Sequence, residues 1–159
     1  MRIETGSGRL KISDNPYPFW AFCSMFVLGG TTALTLSLLD RSNPTASIAG
    51  IIVGLANIAG PLWMMKREPA SVVELDRGYD RVSVRRWGLL GREATTYPLH
   101  ALLGADIETT EHTDGGTVYR PRLRFSTAAS VPVSMFWYQK PDASRDVVAH
   151  LERFAGERG

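Results

Sequence analysis

The residues best suited to chemistry in this 159-residue chain are three histidines, one cysteine and a run of alternating arginines. His100, His112 and His150 lack the close spacing of a metal site, and no cysteine stands near them. They read as surface or turn residues. Cys23 is the single cysteine, so no disulfide can form within the chain, which suits a cytoplasmic domain. There is no G-x-S-x-G, no P-loop and no G-x-G-x-x-G, and Gly6-Ser7-Gly8 reads only as a turn. The expectation is a protein without catalytic residues, metal or cofactor, and not an enzyme.

The arginines are more distinctive. In a strand over 117–125, Val118, Arg120, Arg122 and Arg124 share one face, and Tyr119, Pro121, Leu123 and Phe125 share the other. Arg81 and Arg85 make a similar pair on an earlier strand. Such a face suits anionic lipid headgroups, a phosphate or an acidic partner surface. The plainer reading is a solvated face balanced by Asp and Glu on neighbouring strands, which the nearly even charge of this region favours. Pro121 cannot donate to a ladder and marks an edge strand or a bulge. Trp137 reads as core or as cover for a helix. The net charge of +2 gives no polycation signature for nucleic acid.

What positions these residues is a chain divided by charge. From Asn15 to Met65 the charged residues are Asp40 and Arg41 alone, side by side between two apolar runs. Tyr17–Leu39 and Ala46–Met65 are each long enough as helices to cross a hydrocarbon core of about 30 Å. A soluble core helix would seldom come as two such runs in succession. A cleaved signal peptide has a shorter apolar stretch and an A-x-A site, which Ser42-Asn43-Pro44-Thr45 does not supply. Arg2, Arg9 and Lys11 precede the pair, Lys66 and Arg67 follow it, and Arg41 alone lies between. The positive-inside rule then places both termini in the cytoplasm and the turn outside, with Tyr17, Trp20, Trp63, Lys66 and Arg67 as interface anchors. Gly29, Ala33 and Ser37 on one span, and Ala46, Gly50 and Gly54 on the other, recur every four residues and suit close helix packing, either within the hairpin or against a partner helix. Asn57 is expected to hydrogen-bond a helix neighbour, and Pro61 to kink the second span.

The flanks read as β structure. Residues 1–16 form a lead-in with two short strands around the Gly6-Ser7-Gly8 turn. After Lys66 the pattern alternates, with strands over 71–76, 81–87, 92–97, 105–111, 117–125 and 131–138, a helical turn at Pro98–Leu102, and a hairpin turn at 112–116. A helix over 142–155 follows, capped by Asp142, with Val147, Val148, Leu151 and Phe154 on its apolar face. The domains expected are thus 1–16, 17–65 and 66–159.

Several stretches carry a family resemblance. They are Phe19-Trp20-Ala21-Phe22, Gly78-Tyr79-Asp80-Arg81, Arg86-Trp87-Gly88-Leu89-Leu90-Gly91, Ala105-Asp106-Ile107-Glu108, Val131-Pro132-Val133 and Leu151-Glu152-Arg153-Phe154. A two-helix hairpin with six or seven antiparallel strands closed by one amphipathic helix resembles small bacterial inner-membrane proteins with a pleckstrin-homology-like (PH-like) domain. In layout it is similar to the photosystem I assembly factor family. The resemblance implies an α+β membrane protein that is a non-catalytic scaffold, assembly factor or accessory subunit, partnered by a larger membrane complex and by lipid. The alternative is an anionic-lipid- or signal-binding module tethered to the membrane.

Overall fold

A computed structural model describes residues 1–40, 42–112, 115–127 and 129–156. The chain forms two compact units, Pro16–Glu68 and a unit built from Met1–Asn15 together with Pro69–Gly159. Arg41, expected in the turn between the spans, and Thr113-Asp114, expected in a hairpin turn, lie outside the described residues.

The first unit is a helical hairpin. Helix α1 spans Tyr17–Leu39 and α2 spans Pro44–Arg67. Both are long and apolar enough to cross a membrane. Pro18 sits in the first turn of α1, where a missing N–H is harmless. Asn43 caps α2, its side chain accepting from the Ala46 N–H at 3.2 Å. This cap starts the helix two residues before the expected Ala46, and α2 runs on through Pro61 to Arg67.

The second unit is a β domain of two antiparallel sheets and a helix. One sheet has the order β1 (Arg2–Gly6), β2 (Arg9–Asp14), β3 (Ala70–Asp76), β4 (Arg81–Gly88), β5 (Gly91–Pro98). The other joins β6 (Leu102–Glu111), β7 (Thr117–Phe125) and β8 (Val131–Pro132). A single 3₁₀ turn, Leu99–Ala101, connects the sheets. Helix α3, Asp142–Gly156, buries Ser144, Val147, Leu151 and Phe154. Asp142, expected as its cap, is instead its first helical residue.

Period-two alternation sends Leu10 and Ile12, Val73 and Leu75, Val82 and Val84, and Leu123 and Phe125 into one core, which α3 also enters. Fully burying each such side chain contributes about 1.5–3 kcal/mol. The lead-in is therefore part of the domain. β2 pairs with β3 along its whole length, from Arg9 opposite Asp76 to Asp14 opposite Ser71. The helical hairpin is inserted between two neighbouring strands.

Two further expectations change. Among the described residues the two lead-in strands and the six expected after Lys66 are present, but they form two sheets, of five and three strands, and not one. The strand expected over 131–138 is paired regularly only at Val131–Pro132. Val133 still donates to Pro121 O at 2.9 Å. In that register Tyr119 would oppose residue 135, but it forms its bridge with Tyr138. Residues 134–137 therefore make an excursion from the ladder.

Candidate functional site: a groove on the apolar hairpin

The seam of the hairpin is set by glycines. A Cβ on Gly30 would stand 2.8 Å from Gly54 O, and one on Gly54 would stand 2.9 Å from Gly30 O. Real side chains do not tolerate such distances, so the helices cross here backbone to backbone. Lower down, a Cβ on Gly50 would meet Ser37 Oγ at 1.9 Å. Of the expected packing residues, Ser37, Gly50 and Gly54 do face the seam. Gly29 does not: a Cβ there would meet nothing within 4 Å. Its place is taken by Gly30, one residue and about 100° around the helix. Ala46 lies with Leu36, Ser37, Asp40 and Ser47 around a recess at the turn end. There the Ser42 backbone and hydroxyl both donate to Asp40, holding its carboxyl below the usual range.

Gly29 and Ala33 instead line an open groove of about 400 Å³. Phe22, Met25, Phe26, Gly30 and Asn57 complete it. Phe22 and Phe26 meet edge to face at 4.9 Å on its rim. Asn57 Nδ2 donates to Val53 O at 2.9 Å, so its partner is one turn back in its own helix. The groove is apolar, floored by small residues, and carries one amide. It has the form of a seat for another helix, where small residues let backbones approach.

The expected anchors gather at the open end of the hairpin. Trp20 Nε1 donates to Glu68 O at 3.1 Å, tying the start of α1 to the end of α2. Tyr17 packs edge-on against Trp20 at 6.0 Å, and the Arg67 guanidinium lies 4.2 Å from the Trp63 ring centroid. Tyr17, Trp63, Lys66 and Arg67 are exposed.

On the β domain the arginine face is present but occupied. Register places Glu108 opposite Arg120 and Asp106 opposite Arg122. Arg120 donates twice to Glu108 Oε2, at 2.6 and 3.0 Å. Arg122 forks onto both oxygens of Asp106, and that hydrogen bond raises its pKa. Arg124 reaches Asp106 at 3.6 Å. Arg85 stands 3.9 Å from Glu74, and Arg81 lies over the Tyr79 ring at 5.5 Å. The arginine face is thus a cross-strand ion-pair ladder, and its outward charge is largely cancelled.

β7 lies between β6 and β8, so Pro121 does not mark an edge. Trp137, expected as core or helix cover, is stacked under Arg120 at 4.2 Å, on the opposite face from the helix-packed core. Arg86 is a further arginine, not among those expected at a site. It follows Val82 and Val84 on the inward face of β4, donates to Pro132 O at 2.9 Å, and burial lowers its pKa. The period-two pattern that marked Val82 and Val84 as core also marks position 86.

A second polar knot lies where β2 ends. Asp14 accepts from the Ser134 hydroxyl and from Tyr138 OH. Ser134 opens the 134–137 excursion and Tyr138 follows its end, so Asp14 holds it at both sides. The histidines are turn and surface residues as expected: His100 pairs with Asp80, His112 N donates to Gly116 O at 2.7 Å, and His150 contacts Asp146 O on its own helix. Among the described residues no group of His, Cys, Asp and Glu is arranged to hold a metal.

No known protein family matches this chain, and no characterised protein is significantly similar to it.

Proposed function

We propose that the chain is a non-catalytic, membrane-anchored scaffold, assembly factor or accessory subunit of a larger membrane protein complex. Its apolar hairpin spans a bacterial inner membrane with both flanks cytoplasmic, and its β domain is a PH-like module held at that surface. The observation that carries this reading is the open groove lined by Phe22, Met25, Phe26, Gly29, Ala33 and Asn57. A hairpin serving only as an anchor would need length and apolarity. This one has sealed its own seam at Gly30 and Gly54 and keeps a second small-residue surface turned outward. The alternative of a lipid-reading arginine face loses support, because Arg120 and Arg122 already have carboxylate partners.

The test is purification in mild detergent with measurement of the native particle size. The expected outcome is a particle larger than one chain, containing a co-purifying membrane protein. Gly29→Leu fills the groove from a position where a Cβ meets nothing within 4 Å, so it should release the partner and leave the hairpin folded. A lone monomer from the unaltered chain would sink the proposal.

A further inference from the structure

Among the described residues the β domain leaves few large apolar side chains exposed: Met1, Tyr79 and Leu103 stand singly, and Leu89 and Leu90 are adjacent. Leu89 is 50% and Leu90 76% exposed, and they form the two-residue tip between β4 and β5, where Gly88 pairs with Gly91. Turn chemistry does not ask for leucine there. Tight turns favour Gly, Asn, Asp or Ser, which supply positive φ or local hydrogen bonds. Gly91, at φ +127°, already supplies the unusual backbone angle. The leucines therefore serve neither the turn nor the core.

Their place in the sheet supplies a reason. β2 ends at Asp14 and β3 begins at Ala70, and these are the strand ends from which the chain passes into the two apolar helices. Ala70 lies opposite Trp87, and a Cβ on Gly88 would touch the Pro69 Cβ at 3.3 Å. The tip thus projects from the same end of the sheet as both helix junctions. It reaches one or two residues beyond Pro69, at about 3.3 Å per residue. Its flanks carry Trp87 and an exposed Arg92, residue types that favour the headgroup level of a bilayer.

We propose that the β4–β5 turn is a third membrane contact, with Leu89 and Leu90 inserted among the outermost acyl chain segments and Arg92 at the lipid phosphates. This rests on the reading that α1 and α2 span a bilayer. It adds a lipid contact made by the β domain's own residues to those made where the chain enters α1 and leaves α2. A shallow apolar tip with a cationic flank is the chemistry of interfacial insertion. The occupant is lipid, because chain connectivity alone brings the bilayer to this end of the sheet.

The test uses the full-length chain in phosphatidylcholine–phosphatidylglycerol liposomes with no other protein present. Cys23→Ser removes the single native thiol. Leu90→Cys, and separately Leu89→Cys, carries an environment-sensitive fluorophore. Tyr79→Cys, exposed in the turn at the other end of β4, is the aqueous reference, and Met25→Cys, exposed on α1, is the membrane reference. Lipids with a quencher high on the acyl chain are expected to quench positions 89 and 90 several-fold more than position 79. Quenching no greater than at position 79 overturns the proposal while position 25 still reports a spanning hairpin. A dry but unquenched probe at position 90 means that protein covers the tip, and also overturns it. No quenching at position 25 removes the spanning hairpin, and the proposal falls with it.

Discussion

Gly29 and Gly30 are neighbours in sequence and opposite in consequence. At Gly30 any side chain collides with the backbone of α2, whereas at Gly29 it enters open space. Gly30→Leu is therefore expected to destabilise the hairpin by about 1–3 kcal/mol or more, as overpacking at a tight contact does. Gly29→Leu should leave it within about 0.5 kcal/mol. Thermal unfolding of both variants in one detergent checks the contrast. The small residues were legible in the sequence, and so was their four-residue spacing. The rotation of α1 about its axis was not. Gly29-Ala33-Ser37 is the more regular stripe, but the seam takes Gly30, Leu34 and Ser37, because Leu34 packs directly over Gly54. The arginines show the same limit. Alternation correctly placed Arg120, Arg122 and Arg124 on one face. Which carboxylates would stand opposite depended on the β6–β7 register, which local pattern does not fix.

At the scale of elements, Pro121 explains why β8 is short. Pro121 and Val133 stand opposite each other in a position where antiparallel residues exchange two hydrogen bonds. Val133 donates its half at 2.9 Å, and Pro121 has no N–H to return. The orphaned Val133 carbonyl is taken instead by the buried Ser71 hydroxyl, also at 2.9 Å. Beyond this point the chain leaves the ladder and is held by Asp14. Ser71→Ala should cost about 1–3 kcal/mol, the penalty of a buried carbonyl left unpaired. Pro121→Ala added to it restores an N–H opposite that carbonyl and should recover part of the loss. A denaturant-midpoint double-mutant cycle measures the coupling, and strict additivity would refute the account. Apolar alternation over 131–138 suggested a longer strand. What cut it short was a missing donor on a different strand, a signal carried by residue 121.

For the whole molecule, the governing fact is that β2 and β3 are partners with the hairpin between them. The short strands of the lead-in were legible from their alternation around Gly6-Ser7-Gly8. Their membership in the domain was not, because the partner strand lies beyond the helices in sequence. Leu10 and Ile12 are each only 1% exposed, so removing residues 1–15 takes two full core side chains, about 2–5 kcal/mol each, and bares the edge of β3. A chain of 69–159 alone is expected to unfold or aggregate. A chain in which a short Gly-Asn loop joins Asp14 to Ser71, with the hairpin excised, is expected to be a folded, water-soluble protein that melts cooperatively. Circular dichroism and gel filtration of the two would decide.

The insertion of the hairpin between paired strands also sets an order of events during synthesis. β1 and β2 leave the ribosome before the helices, yet β3, the strand that completes their sheet, follows only after both apolar helices. If the helices span a bilayer, β2 and β3 meet only when both have crossed. A chain with one helix stranded in the membrane has its two half-domains on opposite sides and cannot close the sheet. Closure of the β domain is then a proofreading step for insertion. Chains that pass become locked, because neither helix can withdraw without tearing β2 from β3. Chains that fail keep Leu10, Ile12, Val73 and Leu75 exposed, the kind of surface that quality-control proteases and chaperones recognise.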